Sequence, residues 1–243
     1  MPIIKLDAIN STNSFLKELI GNQQVENFTV VTAKHQTNGR GQMGATWESE
    51  PSKNLMFSVF VDTSGYHMEF PFFLSMVTSL ALRKALSQFA IPKLKVKWPN
   101  DILSHNSKIC GVLIENVIKN GNVNASIIGV GINLNQTEFK GLPKASSLKL
   151  ITGRFYDLDE VLDAVLANLK HYFELLKQGA FGALKTEYES YLFRKNKPST
   201  FRDREGNLFS GYIQDVLETG DLQVLLEDDV TKAFALKDIE LLY

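Results

Sequence analysis

One glycine loop of the chain carries a single fixed positive charge. Residues 39–44, Gly-Arg-Gly-Gln-Met-Gly, follow a β-rich run and formally match the dinucleotide-binding fingerprint. That fingerprint needs a helix to begin at the loop, whereas the sequence continues Ala-Thr-Trp-Glu, a poor helix start. The phosphate-loop motif is excluded because Ala45 stands where its lysine is required. The loop is therefore either an anion clamp, closing backbone N–H groups and the Arg40 guanidinium over a ligand, or a glycine-rich surface turn.

A second polar stretch, Lys-Trp-Pro-Asn-Asp at residues 97–101, ends a predicted strand. Because the proline stops the strand, Asn100 and Asp101 fall at its tip, a common place for site residues. Asn100 can donate or accept a hydrogen bond, and the Asp101 carboxylate could hold a magnesium ion beside phosphates. A proline turn with an Asx-type cap would explain the same residues without any function.

A β-hairpin is predicted over two apolar runs, residues 109–118 and 125–134. The Asn120-Gly121 pair between them favours a tight turn, because both residue types tolerate positive φ. Gly129 and Gly131 weaken the second strand unless something must approach its backbone closely, such as a flat ligand.

Lys108 leads the first strand of this hairpin. Strict alternation predicts that it shares a face with Cys110 and Val112 and lies opposite Gly111. Lys108 could neutralise a carboxylate and stabilise an acyl-phosphate, or it could simply extend to solvent at the strand edge. Cys110 has no histidine near it in sequence, so a buried small hydrophobe is favoured over an acyl-transfer nucleophile.

The elements that must position these residues alternate between strands and helices. Residues 11–13 offer N-cap chemistry to a short helix that Gly21 ends. Apolar periodicity predicts strands over residues 3–9, 28–33, 55–61 and 94–98, and helices over 15–20, 71–89, 157–178 and 182–193.

The last part of the chain has a different character. Residues 194–198 are polar, basic and end in proline, which indicates a domain boundary. Short β-rich pieces at 211–217, 222–226 and 230–236 are separated by turns, a pattern typical of a small antiparallel barrel. We therefore predict an α+β protein with a first domain over residues 1–193 and a small β-barrel domain over 194–243.

Composition narrows the class of protein. The chain has 243 residues, 44% of them hydrophobic and 22% charged, with a formal net charge of -1. These values are ordinary for a globular protein and predict no global attraction to DNA or membranes. The sequence lacks an apolar run near the roughly 20 residues that span a bilayer, and it lacks a signal peptide. One cysteine excludes an internal disulfide, so a cytoplasmic location is expected.

The order and spacing of the motifs are more specific than any one of them. The series Ser-Thr-Asn at 11–13, Gln36 through Gly44 with Trp47, Lys-Trp-Pro-Asn-Asp at 97–101, Lys-Ile-Cys-Gly-Val-Leu-Ile-Glu at 108–115 and Gly-Val-Gly-Ile-Asn-Leu at 129–134 resembles the biotin protein ligases. The likeness extends from about Ser11 to Asn135, and the tail looks like the small C-terminal barrel of that family.

The resemblance implies a fold and a reaction. The fold would be a class II synthetase-like catalytic domain, a mixed or antiparallel sheet flanked by helices, plus an SH3-like barrel. The reaction would join biotin to ATP, with Mg²⁺, as biotinyl-5′-AMP. The biotin would then pass to a lysine of the biotin carboxyl carrier domain of a biotin-dependent carboxylase. A second copy of the chain could pair with the apolar hairpin as a homodimer.

Residue roles follow from the resemblance, position by position. The catalytic charges would be Lys108, bridging the biotin carboxylate and the α-phosphate, and Arg40. The biotin-binding positions would be Ser11, Thr12, Asn13, Gln36, Gly39, Arg40, Gly41, Gln42, Lys108, Gly111, Gly129 and Gly131. The ATP-binding positions would be Arg40, Trp47, Asn100, Asp101, Lys108 and Asn133, with Asp101 the candidate for Mg²⁺.

Two departures from the family are expected to matter. Many members carry further arginines in the glycine loop, where this chain has Gln42, Met43 and Ala45, so retention of the activated intermediate could be weaker or another basic residue could compensate. The motifs also begin at Ser11, which favours the monofunctional type that lacks an N-terminal DNA-binding domain.

Three rival interpretations stay open at this point. A lipoate protein ligase would use parallel adenylate chemistry. An octanoyltransferase would need Cys110 as its nucleophile. A protein of another class would bind biotin or a nucleotide without turnover.

Overall fold

A seven-stranded mixed sheet forms the larger part of the computed structural model, which describes residues 1–119 and 121–243. Its spatial order is β1-β2-β3-β7-β6-β5-β4, with β1 and β2 parallel and every other described pair antiparallel. In chain order the strands are β1 (Ile3–Ile9), β2 (Val30–Gln36), β3 (Leu55–Asp62), β4 (Leu94–Lys97), β5 (Asp101–Ser104), β6 (Ser107–Lys119) and β7 (Asn122–Ile132).

Helices cover both faces of this sheet. They are α1 (Thr12–Asn22), α2 (Phe72–Gln88), α3 (Leu148–Thr152), α4 (Leu158–Lys177) and α5 (Phe181–Ser190). Helix α2 is apolar around most of its circumference because it lies between the sheet and the other helices. Helix α4 buries one stripe and is capped by Asp157, whose carboxylate accepts hydrogen bonds from two first-turn N–H groups.

The two faces of the sheet are covered differently. The side chains of Phe57, Ile128 and Val130 join α2 and α4 in the main apolar core. On the opposite face α1 packs through Leu16 against Val31 and Ile127. Because α1 is short, it covers only part of that face, and the uncovered part is where the site residues gather.

A second, five-stranded antiparallel sheet follows. It has the order β11-β10-β9-β8-β12 and consists of β8 (Pro198–Asp203), β9 (Leu208–Val216), β10 (Leu222–Leu226), β11 (Thr231–Phe234) and β12 (Ile239–Leu242). The α+β class with a small all-β unit at the end is confirmed. Closure of this sheet into a barrel and the boundary between residues 193 and 194 remain predictions.

Several predicted boundaries were wrong, each for a local reason. Helix α1 runs to Asn22, past Gly21, and Ser11 occupies the N-cap position without a side-chain cap hydrogen bond. Helix α5 ends at Ser190, short of residue 193, because the chain then turns to hydrogen-bond with Val96 of β4. The predicted Asn-Gly turn includes Asn120, which lies outside the described residues.

Candidate active site

A cavity of about 180 Å³ lies on the open face of the large sheet, beside the start of α1. The glycine loop covers it, and strands β6 and β7 form its floor. Every predicted site residue lines the cavity except Gly39 and Asn133. The sequence motifs therefore meet in one place, although they are separated by up to about half of the chain.

Glycines keep the floor open. Gly111 of β6 pairs with Gly131 of β7, and Gly129 lies two residues away on the same face. A Cβ at Gly131 would come within 2.4 Å of the Trp47 indole, and one at Gly129 within 2.2 Å of the Asn13 amide oxygen. A methyl group has no space at either position, so these strands accept glycine for its size rather than for its backbone freedom.

Trp47 lies across this floor. A Cβ at Gly111 would also contact its ring, at 3.0 Å. The Trp47 Nε1 is buried and has no hydrogen-bond partner in the described structure, and a buried donor without a partner is costly. A flat ligand lying on these glycines therefore requires the indole to move.

A polar network fixes the start of α1. The Gln36 Oε1 accepts hydrogen bonds from the Thr12 backbone N–H at 2.8 Å and from the Thr12 hydroxyl at 3.2 Å. The Ser58 hydroxyl lies 2.7 Å from Thr12 Oγ1 and 2.5 Å from Asn13 Oδ1. Buried side chains with both donors and acceptors thus stand at one end of the cavity, where they can recognise a polar ring.

A residue of the sheet fixes the Arg40 side chain. Its guanidinium forms two hydrogen bonds to the Glu115 carboxylate, at 2.6 and 3.3 Å. The Asn13 amide also donates to Glu115, at 2.9 Å, so this carboxylate links the glycine loop to α1. Two parallel N–H···O bonds constrain a guanidinium plane strongly, which fixes the direction of the positive charge.

Lys108 stands at the other end of the cavity. Its ammonium lies 2.7 Å from the Asp101 carboxylate and 5.9 Å from the centre of the Trp47 ring. The predicted alternation was wrong here. The ladder between β5 and β6 shifts register, pairing Ile102 with Cys110 but Leu103 with Lys108, and this bulge turns Lys108 to the side of Gly111.

Cys110 lies in the apolar core. Its side chain is fully buried, and burial raises the pKa of the thiol well above its usual range. A nucleophilic thiolate needs the opposite environment, so the prediction of a small buried hydrophobe is confirmed.

The two predicted residues outside the cavity have structural contacts. A Cβ at Gly39 would meet the Trp47 carbonyl oxygen at 2.3 Å, so Gly39 lets the loop close on itself. The Asn133 amide donates to the Ser146 carbonyl at 3.0 Å and so ties the segment after β7 to the sheet.

Two residues that hold the site were not among the predicted ones. Ser58 lies in an apolar strand, and Glu115 lies well inside β6. The available signal was a polar residue inside a largely apolar strand, Ser58 alone in β3 and Glu115 next to Asn116 in β6. Its partners, 45 and 75 residues away, cannot be deduced from the pattern.

Asp101 was the residue predicted as a possible metal ligand. Within the described residues, no group of three or more His, Cys, Asp or Glu side chains could hold an ion. None of the helices in the same part of the chain is long and apolar enough to cross a membrane.

Comparisons with known proteins identify the family of this chain. A model of the biotin/lipoate A/B protein ligase family matches residues 6–133. The chain belongs to that family. It is 30% identical over 246 residues to the bifunctional ligase/repressor BirA of Bacillus spizizenii, a match that covers 98% of this chain and 74% of that protein.

Two further relatives carry more specific names. A biotin–[acetyl-CoA-carboxylase] ligase of Paracoccus denitrificans is 29% identical over 175 residues, covering 69% of this chain and 72% of its own. The biotin protein ligase of Aquifex aeolicus, solved in complex with biotin and ATP, superposes with a TM-score of 0.84. That structure is 28% identical, and the match covers 99% of this chain and 98% of its own.

Proposed function

We propose that this protein is a biotin protein ligase that forms biotinyl-5′-AMP from biotin and ATP and transfers biotin to a lysine of a carrier protein. The observation that carries the proposal is the single cavity in which Arg40 and Lys108 stand over a floor of glycines. The similarity to the biotin- and ATP-bound ligase of Aquifex aeolicus supports the choice of biotin over lipoate.

In the first step, an oxygen of the biotin carboxylate attacks the α-phosphorus of ATP. A new P–O bond forms, the bond from the α-phosphorus to the bridging oxygen breaks, and its electron pair leaves with pyrophosphate. Both reactants are anions, so they must be brought together against their repulsion. Lys108, which lines the cavity opposite α1, neutralises the carboxylate and the α-phosphate together, and Arg40 adds a second positive charge.

The polar end of the cavity receives the biotin ring. Thr12, Asn13 and Gln36 present hydroxyl and amide groups there, and the ureido group of biotin both donates and accepts hydrogen bonds. Gly129 and Gly131 let the flat ring system lie against the sheet. Trp47, Asn100, Asp101 and Asn133 are assigned to the ATP side.

In the second step, the neutral ε-amine of the acceptor lysine attacks the carbonyl carbon of the anhydride. An amide bond forms, AMP leaves with the electron pair, and the nitrogen loses a proton to solvent. No enzyme nucleophile is needed, which agrees with the burial of Cys110. We assign the acceptor to the carboxyl carrier domain of a biotin-dependent carboxylase and magnesium to the ATP complex, with one oxygen of Asp101 available to it. Pairing of two copies along the hairpin also remains a proposal.

Adenylate formation with alternative acids tests this function. We expect pyrophosphate release that requires ATP together with biotin, and none with lipoate or octanoate. Mass spectrometry should detect biotinyl-5′-AMP in the same reaction. Activity with lipoate alone would show that the substrate is lipoate and not biotin. Binding of biotin without pyrophosphate release would show a binding protein instead of a ligase.

A further inference from the structure

Three lysines converge beyond the Asp101 end of the cavity. Lys97 and Lys144 place their ammonium groups 5.4 and 4.1 Å from the centre of the same aromatic ring, that of Tyr243. Lys108 is the third, and its backbone N–H donates to the Lys144 carbonyl at 2.7 Å. This backbone hydrogen bond holds Lys144 beside the predicted catalytic lysine, and Lys97 meets Lys144 at the Tyr243 ring.

The cluster holds more positive than negative charge. Lys108 takes the Asp101 carboxylate at 2.7 Å, and within the described residues neither Lys97 nor Lys144 has a carboxylate within 4.0 Å. Burial is the main cause that lowers the pKa of Lys97. The Asp101 carboxylate acts against it, whereas the ammonium groups of Lys108 and Lys144 lower the pKa further, and Glu240 has the smallest effect, in the direction of Asp101. Excess positive charge in a partly buried place is unfavourable until an anion joins it.

The Tyr243 ring lies between the ammonium groups of Lys97 and Lys144 and the apolar residue Phe193. The ring packs edge-on against Phe193, and burial, with the Asp101 carboxylate nearby, raises the pKa of the Tyr243 hydroxyl to about 12. The ring therefore stays neutral and presents a face to both ammonium groups. Lys97 is half-buried and Lys144 is exposed, so the packing of the ring does not by itself require both ammonium groups.

The cluster borders the reaction site. Pro99 lines the central cavity with Lys108 and also lines a second cavity of about 330 Å³ with Lys97. This second cavity opens between the large and small sheets, and Met43 at the tip of the glycine loop reaches it. A phosphate chain that begins at Lys108 can continue past Pro99 to Lys97.

We propose that Lys97 and Lys144 bind the β- and γ-phosphates of ATP and stabilise pyrophosphate as it leaves. This inference rests on the proposed adenylation reaction and names the subsite for its leaving group. As the bond from the α-phosphorus to the bridging oxygen breaks, negative charge grows on the pyrophosphate. Two ammonium groups already fixed on the Tyr243 face meet that charge without reorganising.

Substitution of the two lysines tests the subsite. The variants are Lys97→Met, Lys144→Met and the double variant, and the control is Lys95→Met, two residues earlier on β4, whose ammonium lies 6.0 Å from the Tyr191 ring instead. Binding of magnesium pyrophosphate and magnesium ATP is measured by calorimetry on the intact chain. We expect both dissociation constants to rise on the order of 10-fold in each single variant and further in the double variant, with the control unchanged.

Two further measurements separate this role from a structural one. Biotin binding, and biotin transfer from chemically prepared biotinyl-5′-AMP, should be the same in the variants as in the parent, because neither involves the β- and γ-phosphates. Equal losses in transfer and in ATP binding would overturn the subsite, as would pyrophosphate binding that does not change. Lys144 is exposed, so its variant stays informative even if Lys97→Met folds poorly.

The subsite and the proposed function fail differently. If the parent chain makes no biotinyl-5′-AMP yet binds pyrophosphate through Lys97 and Lys144, the assignment of biotin fails and the phosphate subsite stands. If the parent makes the adenylate but the double variant binds pyrophosphate as tightly, the subsite fails and the ligase assignment stands.

Discussion

At the scale of single residues, the site depends on where two positive charges are held. Arg40 is fixed by Glu115, and Lys108 is turned into the cavity by a bulge in β6 and held by Asp101. Each cation already has a carboxylate partner, which limits the cost of placing both near one ligand. A substrate anion must therefore compete with Glu115 for Arg40 and with Asp101 for Lys108.

Replacing Lys108 should affect chemistry more than biotin binding. We expect Lys108→Ala to slow adenylation by roughly 10²-fold or more, the scale for loss of one preorganised electrostatic group. Pyrophosphate release at saturating ATP and biotin measures the effect. Lys140→Ala is the control, since Lys140 is exposed on the segment that follows β7. Near-parental turnover of Lys108→Ala would remove Lys108 from the catalytic role.

At the scale of elements, the main feature of strands β6 and β7 is the absence of side chains at three glycine positions. Gly111, Gly129 and Gly131 lie together on the cavity face of these two strands. The opposite face stays continuous with the main core through Val112, Ile128 and Val130. One face of the hairpin therefore packs in the main core, and the other face leaves room for a ligand.

Filling that space should block binding while the fold survives. In Gly131→Ala the new methyl would meet the Trp47 indole, which belongs to a loop and can shift. Overpacking on this scale costs about 1–3 kcal/mol, so we expect biotin or ATP affinity to fall on the order of 10- to 100-fold, measured by calorimetry. Gly65→Ala, where nothing lies within 4 Å of the new methyl, is the matched control. Unchanged affinity in Gly131→Ala would place the ligand elsewhere.

The main elements could be predicted from the sequence where the periodicity was long. Helices α2 and α4 and the β6–β7 hairpin appear close to their predicted ranges, because many residues repeat the same pattern. Strands β5, β8 and β12 were missed; they have only four to six residues each, and no long pattern marks them.

The motifs predicted which residues belong to the candidate site, but they did not predict the contacts between these residues. Glycine, lysine and asparagine positions were visible in the sequence, whereas the partners of Asn13 and Arg40 depend on tertiary contacts. The bulge beside Lys108 arises from pairing between strands, and no local pattern marks it.

At the scale of the whole molecule, the two sheets are joined at Trp98, next to the cavity residue Pro99. The Trp98 Nε1 donates to the Gly220 carbonyl at 2.8 Å, and Gly220 itself packs against Phe72 of α2. Apolar residues of both sheets belong to one continuous core, among them Val96 and Val224. The small sheet is therefore part of the structure that supports residues 97–101.

A substitution in the small sheet should accordingly destabilise the whole chain. Gly220→Ala combines a left-handed backbone, φ +99°, with a new methyl 2.6 Å from the Phe72 ring. Gly206→Ala has a similar φ of +90° but no atom within 4 Å, so the pair separates the steric clash from backbone strain.

We expect Gly220→Ala to lose about 1–3 kcal/mol more unfolding free energy than Gly206→Ala. Thermal unfolding followed by tryptophan fluorescence and by circular dichroism should give one shared transition. Two separate transitions, with Gly220→Ala shifting only one, would show that the sheets unfold independently.

The position of Trp47 has a further consequence, which is kinetic. Because the indole rests on Gly111 and Gly131, a substrate that must lie there can dock no faster than the indole leaves. In stopped-flow fluorescence the observed association rate should rise with substrate concentration and then reach a plateau, the height of which equals the rate of indole departure. In Trp47→Ala the plateau should disappear and the rate should stay proportional to concentration.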